Sequence, residues 1–82
     1  MQWEILSDLI REQIPNLIIR ETVLISKDTR LLEDLEYDSL AIMSLLSALE
    51  DKGIDFTQVH DFFLHFNVCG EIYNGICELL VN

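Results

Sequence analysis

The segment spanning residues 38–53 constrains this chain more than any other. It runs Asp-Ser-Leu-Ala-Ile-Met-Ser-Leu-Leu-Ser-Ala-Leu-Glu-Asp-Lys-Gly. Leu40, Met43, Leu46 and Leu49 recur at helical spacing, as do Ile42, Leu45 and Leu49. Asp38 stands where an N-cap or first-turn acid belongs, because a carboxylate there accepts from the unpaired N–H groups of the first turn. Gly53 suits the position after the last turn, where a positive φ meets no Cβ clash. The segment therefore predicts a helix with both ends marked. It also carries more apolar positions than one buried stripe requires.

The flanking chain is read the same way. Residues 2–13 form a second helical pattern, with Trp3, Leu6, Leu9 or Ile10 and then Ile14 on one side, and Glu4, Asp8, Arg11 and Glu12 on the other. Trp3 is expected in the core, and Pro15 ends the segment. Residues 16–29 are ambiguous. Leu17-Ile18-Ile19 and Val23-Leu24-Ile25 suit short strands by propensity, yet no glycine turn separates them and the chain has too few other strands for a sheet. Asp28 or Thr29 is expected to cap a short turn over residues 31–35, with Leu31, Leu32 and Leu35 plugging the core. Glu33, Asp34, Glu36 and Asp38 form a local acidic cluster, read either as solvated loop or as a dock for a basic partner.

Beyond Gly53, Ile54-Asp55-Phe56 is expected to cross the end of a bundle. Thr57 caps a brief helix through Phe63, and Leu64 and Phe66 add apolar contacts. Val68, Ile72, Ile76 and Leu79 or Leu80 predict a last helix to about Leu80, with Asn67 as its candidate cap. Gly75 inside it costs roughly 1 kcal/mol relative to alanine. The whole chain reads as one all-α domain over residues 1–82, a small four-helix bundle of three principal helices and one short one.

Charge excludes several classes. Fifteen acids against five Lys and Arg leave a net charge of −10, which opposes nucleic-acid binding and anionic membranes and favours a positively charged protein partner. No basic leader precedes an apolar run, and no run is long enough to span a bilayer, so the cytoplasm is the expected compartment. Cys69 and Cys77 lie eight apart in one predicted helix, roughly 12 Å along its axis, too far for a disulfide. His60 and His65 lack a ligand set of zinc-site spacing with Cys69. Ser39 has no evident His–Asp partners, and no glycine-rich phosphate loop occurs, so no enzyme activity and no metal are expected.

Asp34-Leu35, Asp38-Ser39-Leu40, Leu45, Ala48-Leu49-Glu50 and Gly53-Ile54 together resemble the acyl and peptidyl carrier proteins of fatty-acid, polyketide and nonribosomal-peptide synthesis. Val68-Cys69-Gly70-Glu71-Ile72 looks like that family's Thr-Val-Gly-Asp segment before its last helix. The likeness runs from about Ile25 to Ile76. It departs at Glu36, where the family usually has glycine, at Ser44, where an acid is common, and at residues 50–53, which lack one residue before the glycine.

The resemblance implies a long ordered loop between the first and second principal helices, whose apolar residues seal the core while Arg20, Glu21 and Lys27 stay in solvent. It implies that Ser39 is esterified by 4'-phosphopantetheine from coenzyme A, and that Asp38 helps present the serine to a phosphopantetheinyl transferase. Without it, Asp38-Ser39 reads as a plain helix cap. The other implied partners are the acyl- or aminoacyl-loading, condensing or transferring enzymes, which the chain meets as a monomer. Leu40 and Met43 match positions that the family leaves partly exposed for these partners, whereas Leu46 and Leu49 face the core; Met43 read alone also suits a core position. Glu36, Glu50 and Asp51 supply acidic contacts. Ala41, Ser44 and Ser47 are neutral near Ser39, so recognition is expected to rest more on apolar contact than on ion pairs. The alternative is an interaction module of the same shape that is never modified.

Overall fold

Asn16 settles the ambiguous stretch. In the computed structural model its side-chain oxygen accepts from the N–H groups of Ile18 and Ile19, at 2.9 and 3.2 Å. This N-cap starts a short helix, Leu17–Thr22, inside the connection expected to be loop. The β-branched propensity of Ile18 and Ile19 yields to that local cap and to the docking of Ile19 on the core. Residues 1–54 and 67–81 are described, Val81 without its side chain. Among them the helices are α1, Trp3–Glu12; α2, Leu17–Thr22; α3, Ser39–Asp51; and α4, Cys69–Val81. No strand occurs among the described residues, and an isolated antiparallel bridge pairs Arg30 with Val68. The described residues form an all-helical fold, with three longer helices and one short one. The brief helix expected after Thr57, the contacts of Phe56, Leu64 and Phe66, and His60 and His65 lie outside the described residues.

α1 buries Leu6 and Ile10, and Ile14 follows on the same side beyond its end. Trp3 is half-buried, not fully enclosed, and meets Tyr73 of α4 edge to face at 5.7 Å between ring centres. The Lys27 ammonium lies 5.8 Å from the Trp3 ring centre and 5.1 Å from that of Tyr73. It thus ties the connection to both helices by cation–π attraction. Arg20 does not stay in solvent. Its Nε and Nη2 donate to the Ile14 carbonyl at 3.0 and 2.7 Å. Arg11 donates to the carbonyls of Arg20 and Val23 at 2.6 and 2.7 Å. These cations satisfy carbonyls at the ends of α1 and α2, where the helix dipole is negative.

The chain leading to α3 is stapled to the start of α4. Leu31 N–H donates to Asn67 O, Cys69 N–H to Thr29 O and Gly70 N–H to Lys27 O, at 2.9, 2.8 and 2.8 Å. Asn67 therefore does not cap α4: its side-chain oxygen accepts from Leu32 N–H, and its amide donates to Glu33. Nor does Asp28 or Thr29 cap the turn at 31–34. Thr29 Oγ1 accepts from Ser26 N–H, and Asp34 accepts from Arg30 N–H. Leu31 and Leu35 enter the core, but Leu32 is exposed, because the turn has room inward for only one of two adjacent side chains.

α3 completes the core through Ala41, Leu45 and Leu49, spaced four apart, against Leu6 and Ile10 of α1 and Ile72 and Ile76 of α4. Each fully buried Leu or Ile contributes about 1.5–3 kcal/mol. Leu49 faces inward as expected, whereas Leu46 sits on the half-buried flank with Ile42. Gly53 takes φ +91° after the helix, the conformation that its place at the end of the pattern requires.

Candidate functional site

The start of α3 is built by an alternation in the four residues before it, Leu35 to Asp38. Leu35 and Tyr37 point inward and are buried, while Glu36 between them points outward. Reversing the chain so tightly puts Glu36 at φ +53°, the left-handed region. That is where the resembling family has glycine. Tyr37 N–H donates to Leu31 O at 3.0 Å, and its hydroxyl donates to the Ile10 carbonyl of α1 at 2.5 Å. Burial pushes this phenol well above its ordinary value, with Cys69 nearby adding to the shift, so it remains a donor.

Asp38 follows in extended conformation, and its carboxylate accepts from Ala41 N–H at 2.8 Å. It is the N-cap of α3. Ser39 is the first residue of the helix and is exposed. Ile42 N–H donates to the Asp38 carbonyl, which leaves the Ser39 and Leu40 amides without an acceptor among the described residues. Ser39 therefore stands at the positive end of a 13-residue helix, in the turn that carries these two open N–H groups. Open amides and a positive helix end favour an anion, whereas the Asp38 carboxylate beside Ser39 opposes one.

Leu40 is 74% exposed and Met43 63%. With Asp51, Ser44, Ser47 and Ala48 they line an open hollow of about 400 Å³ along α3. Met43 is thus a surface residue, and Asp51 shares its face. Glu36 and Glu50 are exposed but do not line this hollow.

The acidic cluster is less free than its composition suggests. Asp34 accepts from Arg30 N–H at 2.9 Å and lies 3.5 Å from the guanidinium, and these contacts hold its carboxyl below the usual value. Glu33 accepts from Asn67, and Asp38 caps α3. Glu36 has no partner among the described residues.

Reading residue types for chemistry missed Tyr37, because a phenol buried two residues before a serine carries no reactive signature. The signal that finds it is the two-residue alternation of Leu35 and Tyr37 about Glu36. No group of three or more metal-ligating side chains occurs among the described residues. Comparison with protein-family models, with curated proteins and with solved structures finds no match.

Proposed function

We propose that this protein is an acyl or aminoacyl carrier whose Ser39 hydroxyl accepts 4'-phosphopantetheine from coenzyme A, by the action of a separate transferase. In that step Ser39 Oγ attacks the pantetheine-side phosphorus of the coenzyme A pyrophosphate. The new P–Oγ bond forms as the bond to the adenosine bisphosphate breaks, and the serine proton passes to the transferase. The arm's thiol then carries a thioester-linked group between biosynthetic enzymes. The chain itself supplies an accessible hydroxyl, two open amides beside it and an apolar face to dock on.

The observation that carries this reading is the exposure of Ser39 at the first position of α3. It gains weight from Glu36, which adopts the left-handed conformation at the place of the family's glycine. No helix among the described residues is long and apolar enough to cross a membrane, and a cytoplasmic carrier is part of the same proposal.

The test is intact mass after incubation with coenzyme A and a promiscuous phosphopantetheinyl transferase. One phosphopantetheine is gained by the native chain and none by Ser39→Ala. A native chain that gains nothing while folded overturns the carrier reading. The exposed Leu40 and Met43 would then support an unmodified interaction module instead.

A further inference from the structure

Among the described residues, Tyr37 is the one buried side chain that joins the approach to α3 directly to α1 by a hydrogen bond. Its hydroxyl crosses 27 residues of sequence to reach the Ile10 carbonyl. Among the described residues that carbonyl otherwise accepts the longer bond, 3.3 Å, from Gln13 N–H outside the helix ladder. Two residues later the chain presents Ser39. Between them stands Asp38, whose extended backbone and carboxylate set the first turn. Glu36, on the other side, is held left-handed, a conformation that a non-glycine residue keeps only when its neighbours fix it. The neighbours are Leu35, fully buried, and Tyr37, bonded at both its amide and its hydroxyl.

We infer that Tyr37 is a positioning residue for Ser39: its hydroxyl, bonded to Ile10 of α1, fixes where the first turn of α3 stands and so presents the serine to the modifying enzyme. This rests on the carrier reading for its catalytic consequence, but its geometric half stands alone. A preset first turn spares the transferase the ordering of that turn on docking, so the effect falls on KM more than on kcat.

The experiment compares the native chain, Tyr37→Phe and a distant core control, Ile76→Val, at a temperature where all three are fully folded by circular dichroism. The first readout is amide hydrogen exchange. In Tyr37→Phe the Ala41 and Ile42 amides are expected to exchange at least fivefold faster, while Ile72 and Ile76 in α4 change no more than global stability dictates. The second readout is the rate of phosphopantetheine transfer. Tyr37→Phe is expected to raise KM about fivefold with kcat little changed, and Ile76→Val to leave both unmoved. Unchanged first-turn exchange in a folded Tyr37→Phe protein overturns the inference, as does an equal KM effect in the control. If the native chain accepts no phosphopantetheine, the carrier reading fails by itself, and the exchange comparison still decides whether Tyr37 sets the turn.

Discussion

Glu36 at φ +53° sits where a Cβ crowds the following carbonyl, at about 1–2 kcal/mol. Glycine removes that cost but adds back roughly 0.5–1 kcal/mol of unfolded-chain entropy. Glu36→Gly is therefore expected to stabilise the protein by about 0.5–1 kcal/mol, read as a higher urea midpoint with an unchanged slope. A lower midpoint would mean that the left-handed turn is not imposed on this residue. Asp38 gives a second residue-scale prediction, because cap and charge can be separated. Asp38→Ala loses the bond to Ala41 N–H and about 1 kcal/mol. Asp38→Asn keeps a side-chain oxygen for the cap and is expected to retain most of that stability. If the carboxylate presents Ser39, phosphopantetheine transfer falls in the asparagine variant despite the intact cap; transfer at the native rate would reduce Asp38 to a structural residue.

Among the elements, Gly70 shows what holds the site from behind. A Cβ built there lies 2.7 Å from the Lys27 carbonyl and 3.0 Å from its Cβ, and Gly70 N–H donates to that same carbonyl. Gly70→Ala must push the connection off the start of α4, and is expected to cost about 1–3 kcal/mol, the range for forcing extra volume into a packed contact. Thermal unfolding measures it, and an unchanged midpoint would show the staple to be slack. α1, α3 and α4 were legible because each carries a periodic apolar stripe, and for α3 both ends were legible from Asp38 and Gly53. α2 was not, because six residues of β-branched composition look like strand until the Asn16 cap and the anchoring of Ile19 decide otherwise. Leu32 was assigned inward because composition cannot say which of two adjacent leucines a turn buries. The exposure of Leu40 and Met43 was expected from the family likeness alone, because their helical spacing also suits a core stripe; Ala41, grouped there with the neutral residues near Ser39, instead turns inward with Leu45 and Leu49. The bonds of Arg11, Arg20 and Tyr37 to backbone carbonyls were not, because nothing in a sequence marks which distant carbonyl lacks a donor.

At the scale of the whole molecule, two neutral acids in the core and a negative surface make opposite demands on solution conditions. Tyr37 and Cys69 are both pushed upward by burial, the thiol to about 12 with Asp34 adding to it. Each is uncharged when protonated, and the folded state holds its proton more tightly than the unfolded chain. Their contribution is full below the ordinary values of 9.0 and 10.0 and drains away as pH rises above them. Stability is thus expected to fall steadily from about pH 9 toward 12, and Tyr37→Phe to flatten the part above about 10, by urea titration at each pH. The surface calls for a different measurement. The chain carries a net charge of −10, yet Asp34, Glu33 and Asp38 near the site are engaged by Arg30, Asn67 and the α3 amide. The face beside Ser39 is Leu40, Met43 and small neutral residues, with Asp51 at its far end. On the proposed carrier reading, long-range attraction to a basic transferase sets how fast the two meet, while desolvation of Leu40 and Met43 sets how long they stay. With screening over about 8 Å at physiological salt, raising salt toward 0.5 M is expected to slow association several-fold. Dissociation should change less than about twofold. Leu40→Ala and Met43→Ala should do the reverse, each speeding dissociation with association intact. Stopped-flow binding to the transferase measures both rates, and a dissociation rate that climbs steeply with salt would assign the docking energy to ion pairs instead of to this apolar face.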